Sequence, residues 1–185
     1  MTDLPATPGQ TVGPFFHYAL PYPNDHQLVS GGTRGAIQLH GKVFDGRHQP
    51  VPDALVELWQ PDTTGHIAQC AGSLRRDGWT FAGWGRAATN AAGRYSFTTV
   101  APGATSSNTP AYFGITVFAR GLLNRLFTRA YLPMPNATFD TLLTDLDPRR
   151  RRTLICSSDA TGYRFDIHLQ GERETVFLNY VSKRL

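Results

Sequence analysis

The chain has 185 residues, 41% of them hydrophobic and 17% charged, with 18 glycines and 13 prolines. That length suits one domain with an added arm, and its core needs no metal or disulfide staples to fold. Two cysteines, Cys70 and Cys156, exclude a disulfide framework or a four-thiolate zinc site and fit a reducing cytoplasm, while a net charge of +4 is too modest to argue for nucleic acid.

Residues 1–30 carry Pro5, Pro8, Pro14, Pro21 and Pro23 and show no helical period, so they read as an extended arm. Phe15, Phe16, Tyr18 and Tyr22 are more aromatic content than a free tail carries, so the arm is expected to pack on something. The start has neither a basic nor an apolar signal region, and no window approaches about 18 consecutive apolar residues, so no leader and no membrane span are expected. Residues 31–185 read as a single β-sandwich domain.

Ile37, Leu39 and Val43 alternate with polar neighbours, which marks the first half-buried strand. Asp45-Gly46 starts a turn, and Ala54–Trp59 is a second strand, apolar except at Glu57. Residues 66–86 read as a long ordered loop. Arg94–Val100, Ala111–Ala119 and Leu126–Leu132 follow as strands. Thr138–Leu146 places Phe139, Leu142, Leu143 and Leu146 at helical spacing, with Pro148 as the stop. The run Arg149–Arg152 reads as a solvated helix end or an anchor at a subunit contact. Tyr163, Phe165, Ile167 and Leu169 alternate strictly and predict one more strand. The sum is a mainly β chain, a β-sandwich with one short helical segment late in its course.

The chemistry visible at local spacing is sparse. The six histidines, His17, His26, His40, His48, His66 and His168, include no pair at metal-binding spacing, and a lone His on an alternating strand is more often a surface residue. No nucleophile elbow, dinucleotide fingerprint or P-loop is present. Glu57 and Asp166 sit in predicted strands, where a carboxylate usually faces solvent.

Several ordered segments nevertheless resemble one family. Thr7–Phe15, with Thr7-Pro8 and Gly13-Pro14, is similar to the opening of intradiol ring-cleavage dioxygenases. Gly41-Lys42-Val43-Phe44-Asp45-Gly46 and Glu57-Leu58-Trp59-Gln60-Pro61-Asp62 resemble the core motifs of that family, and Phe118–Gly121 and Tyr163–Phe177 its C-terminal half. The resemblance implies a β-sandwich of the intradiol type. Catalytic chains of the family hold ferric non-haem iron with two tyrosines and a His-x-His pair. The matching positions here are Ile67 and Thr105 for the tyrosines and Tyr112 and Gly114 for the histidines, so all four ligands are replaced.

The resemblance therefore implies a non-catalytic α chain that binds no metal, partnered by a β subunit that carries the iron. It further implies that Gly13, Pro14, Phe15 and Arg120 line the partner's pocket, where protocatechuate and O2 meet. Arg120 suits a substrate carboxylate, and Phe15 lacks the hydroxyl a tyrosine would bring. Two alternatives stay open: a self-sufficient dioxygenase with rearranged ligands, and a β-sandwich binding or carrier module.

Overall fold

The computed structural model describes residue 13 and residues 16–68, 76–107, 109–133 and 141–179. Two-residue periodicity builds most of it. Strand β1 (Ala36–Phe44) turns Leu39, Gly41 and Val43 inward, and β4 (Arg94–Val100) turns in Tyr95, Phe97 and Thr99. These two strands pair antiparallel, with Leu39 opposite Phe97. Two short strands, β8 (Gly162–Arg164) and β9 (Ile167–His168), run parallel to β1, and β7 (Ser157–Ser158) closes the edge of this five-stranded sheet.

The second sheet is antiparallel, in the order β3 (Trp84–Ala88), β2 (Leu55–Trp59), β5 (Tyr112–Phe118), β6 (Leu126–Tyr131). Val56, Leu58, Phe113, Ile115 and Val117 face Leu39, Val43, Tyr95 and Phe97 across a single core. Tyr131 belongs to a smaller apolar cluster with Leu143, Leu154 and Val176, against which Tyr112 packs. The chain is thus mainly β, as its alternation implies.

Several sequence readings need correction. The strict alternation from Tyr163 to Leu169 is not one strand. The N–H of Phe165 still makes a ladder bond to His40 O at 2.8 Å, but the next N–H, of Lys42, donates to Asp166 Oδ1 at 3.0 Å while the Phe165 carbonyl accepts from the Tyr95 hydroxyl, which separates β8 from β9. Asp166 therefore sits at the break, ion-paired with Arg164 at 2.6 Å. Within residues 66–86, Trp84–Arg86 belong to strand β3. Its sequence hides the strand because Gly85 must be small: a Cβ there would come within 2.5 Å of Leu28 Cδ1.

Residues 25–29 lie against the sheets, with Leu28 1% exposed and its N–H donating to Thr98 O at 2.8 Å. Earlier in the segment read as extended, α1 (Phe16–Ala19) is a single helical turn. Late in the chain α2 (Thr141–Thr144) is the described part of the expected helix; residues 138–140 lie outside the described set. Pro148 opens a new helix, α3 (Pro148–Arg152), and does not merely close the old one, because Asp147 caps it by accepting from the N–H of Arg149 at 2.8 Å. The arginine run is the helix itself, and it is tied down. Arg150 Nη1 donates to Glu174 O at 2.6 Å and Arg151 Nη2 to Leu146 O at 3.1 Å. Among the described residues no helix is long and apolar enough to cross a membrane.

Candidate functional site

A cavity of about 730 Å³ opens where β2 ends and β5 begins. Its floor is set by the turn after β2. Gln60 is buried, donates through Nε2 to Pro61 O and Val100 O at 3.1 and 3.0 Å, and accepts from the Thr99 hydroxyl at 2.7 Å. This ties the turn to β4 of the other sheet. Asp62 then folds the following residues back: its Oδ1 accepts from the Thr64 hydroxyl at 2.7 Å and from the N–H groups of Thr64 and His66 at 2.8 and 3.0 Å. Those bonds, the Thr64 hydroxyl foremost, hold its carboxyl below the usual range. The Asp62 carbonyl accepts from the N–H of Gly103 at 2.7 Å, which draws the loop carrying Thr105 beside the loop carrying Ile67.

The remaining wall is aromatic and cationic. Trp84 lies across the strand from Trp59, their rings 5.7 Å apart. Arg76 sits 5.4 Å from the Trp84 ring and 5.8 Å from the Tyr22 ring, and its Nη2 donates to Tyr22 Oη and Trp84 O at 3.0 and 2.7 Å. Burial raises the Tyr22 phenol against the opposing pull of Arg76. Arg129 rests 4.4 Å over the Tyr112 ring and donates to Tyr131 Oη at 3.2 Å. Glu57, expected to face solvent, instead lines the cavity with its side chain 14% exposed and accepts from Arg86 Nη2 at 2.7 Å and Nε at 3.2 Å.

Ile67, Thr105, Tyr112 and Gly114 all line this cavity, although they come from three separate stretches of sequence. Arg120 does not join them. It follows β5 at the opposite end, more than half exposed, with Nε 3.1 Å from Asp53 Oδ2. It lies six residue steps beyond Gly114, roughly 20 Å along an extended chain. Gly13 is exposed and its carbonyl faces the N–H of Phe16 at 3.5 Å, while Pro14 and Phe15 lie outside the described residues. Arg76, Trp84 and Arg129 were not singled out by sequence. Arg76 lies in a loop with no period, and Arg129 reads as an ordinary polar position of a half-buried strand.

The cavity's donor set does not fit a ferric ion. At Tyr112, Thr105, Ile67 and Gly114 the chain supplies one phenol, one aliphatic hydroxyl, one alkyl group and no side chain at all, not the two phenolates and two imidazoles that the sequence resemblance implies for a ferric site. Among the described residues no three His, Cys, Asp or Glu side chains converge as a metal site. The free thiol of Cys156, buried in the sandwich core, is pushed up to about 12 by that burial and is no candidate ligand either.

The chain folds as two packed sheets, and the dioxygenase family model matches residues 12–171 of it. The chain belongs to the intradiol dioxygenase family. It is similar to the protocatechuate 3,4-dioxygenase alpha chain of Burkholderia cepacia, 36% identical over 97% of this chain and 100% of that one. The beta chain from the same organism is 31% identical over 83% of this chain and 74% of its own length. Among solved structures, the dioxygenase domain of a dioxygenase carbohydrate-binding protein fusion from Streptomyces sp. SirexAA-E superposes with a TM-score of 0.60 at 29% identity, covering 89% of this chain and 98% of that one.

Proposed function

We propose that this chain is the iron-free α subunit of a cytoplasmic protocatechuate 3,4-dioxygenase, built of αβ protomers in a larger oligomer. The assembly opens protocatechuate with O2 to 3-carboxy-cis,cis-muconate, a step in aromatic catabolism of the β-ketoadipate type. The β subunit holds the ferric iron and supplies the redox chemistry. This chain supplies wall, charge and assembly surface: Gly13 and Pro14 allow close, stiff backbone approach, Phe15 an apolar face, and Arg120 a permanent cation for the substrate carboxylate. Asp53 holds the inner edge of that guanidinium while its exposed edge is left for a partner-side anion.

The observation that carries this reading is the convergence of Ile67, Thr105, Tyr112 and Gly114 on one cavity. A catalytic constellation is present in position and absent in chemistry. The test is oxygen uptake with protocatechuate by this chain alone and after co-expression with a β chain that retains two tyrosines and a His-x-His pair. Uptake only in the co-purified assembly is expected; turnover by the lone chain overturns the reading.

A further inference from the structure

The outer face of the β1–β4 pair carries charges that the ring-opening reaction does not use. Leu39 and Val43 of β1 enter the core, so His40 and Lys42 between and beside them point outward. Across the ladder Arg94 stands opposite Lys42 and Ser96 opposite His40, and on the far side of β1 Arg164 of β8 stands beside His40. The next pair along, Val43 and Gly93, is joined by a hydrogen bond from the N–H of Val43 to Gly93 O at 2.9 Å. Lys42 and Arg94 are therefore a non-hydrogen-bonded pair, the kind in which facing side chains lie closest. Two cations directly opposite one another repel and cost stability.

The nearby carboxylates do not relieve that repulsion. Asp159 Oδ2 lies 2.7 Å from His40 Nε2, and Asp166 is held by Arg164 at 2.6 Å. Asp25 lies 3.3 Å from His26 and accepts from the N–H of Tyr22 at 3.2 Å. Among the described residues neither Lys42 nor Arg94 makes an ion pair. Both line a groove of about 830 Å³ with His26, His40 and Arg164, and it shares no lining residue with the cavity at the β2–β5 end.

We infer that this groove binds a phosphate-type dianion, seated between Lys42 and Arg94. One dianion neutralises both cations at once and turns their repulsion into two charge-assisted contacts, with the Arg94 fork suited to two of its oxygens. A singly charged carboxylate or chloride offsets only one of them. The groove is far larger than a free phosphate, so a phosphate monoester fits the same seat with its body along the groove. The site stands on this chain's own residues, whether or not the chain works beside a β subunit.

The test is calorimetric titration of the full-length chain, in chloride buffer at fixed ionic strength, with inorganic phosphate and separately with glycerol 3-phosphate. Saturable binding of one phosphate group per chain is expected, with acetate at least about tenfold weaker. Tighter binding of glycerol 3-phosphate assigns the seat to esters, and tighter binding of inorganic phosphate to the free ion. Lys42→Gln and Arg94→Gln should each weaken phosphate about tenfold. In phosphate-free buffer Lys42→Gln should melt no lower than the parent chain, because it removes one of two facing cations. Arg47→Gln removes a charge outside the groove and should bind as the parent does. No saturable phosphate binding overturns the inference, and so does acetate binding equal to that of phosphate. A loss in Arg47→Gln as large as that in Lys42→Gln also overturns it, since net charge alone would then be at work.

Discussion

The β2–β5 pair is finished differently at its two ends. At the Leu55–Phe118 end, Leu55 and Val56 are fully buried, the N–H of Ala54 donates to the Thr89 hydroxyl at 2.9 Å, and that hydroxyl donates to Val51 O at 2.8 Å. Asp53 and Arg120 close the corner with an ion pair. At the Trp59–Gly114 end the same two strands open into a cavity, with Trp59 55% exposed and no side chain on Gly114. One end is built to hold the sheets together and the other to keep a space. A scaffold outlasts the loss of its chemistry because different residues carry the two tasks.

The largest effect should come from the shared core. Phe97→Ala removes a ring that is fully buried between the sheets and should lower unfolding free energy by about 3–5 kcal/mol, read as a shift in the urea midpoint. It should weaken both ends alike; a loss at only one end would mean that they fold as separate units. Next is the closed end. In the assembled enzyme Arg120→Ala should raise KM for protocatechuate by about ten- to a hundredfold, and KM for catechols lacking the carboxylate far less. Equal changes for both substrates would remove Arg120 from carboxylate recognition.

At the open end, Glu57→Gln strips Arg86 of its counter-charge while keeping its shape. Both side chains retain some exposure, so solvent offsets part of the loss, and about 1–2 kcal/mol is expected by chemical denaturation. The smallest effect lies away from both ends. His168 packs beside Phe44 and His48, at 4.9 and 5.2 Å, with those two rings 4.5 Å from each other, and burial, then the neighbouring His48, lower its pKa; Asp166 pulls the other way and Arg173 the same way as His48. Its folded pKa lies below the unfolded value of about 6.5, so the unfolded state takes up the proton first. The stability it contributes is complete above that value and lost as pH falls through the folded one. His168→Phe keeps the stack and should flatten the fall in melting temperature between about pH 7 and 5; an unchanged slope would assign that fall to other groups.

The strands were legible where alternation alone decides them. Arg94–Val100 coincides with β4, and Tyr112–Phe118 and Leu126–Tyr131 fall within the stretches predicted for them. Where a long-range contact decides, sequence gave no warning. Gly85 in β3 answers to Leu28, and the break at Phe165 answers to Lys42 and Tyr95. The site was legible only through family resemblance. Nothing in the local spacing of Ile67, Thr105, Tyr112 and Gly114 brings them together; the hydrogen bonds of Gln60 and Asp62 do. Arg76 and Trp84 stayed hidden because what places them at the cavity is their contact with each other and with Tyr22, which no sequence pattern encodes.

Metal analysis of the full-length chain purified without a partner addresses the central claim most directly. An ion count near zero, with no visible tyrosinate absorption, is the result that the replaced ligands require. One tightly held ferric ion per chain would contradict it, since the atoms around this cavity would then be gripping a metal they are unsuited to hold.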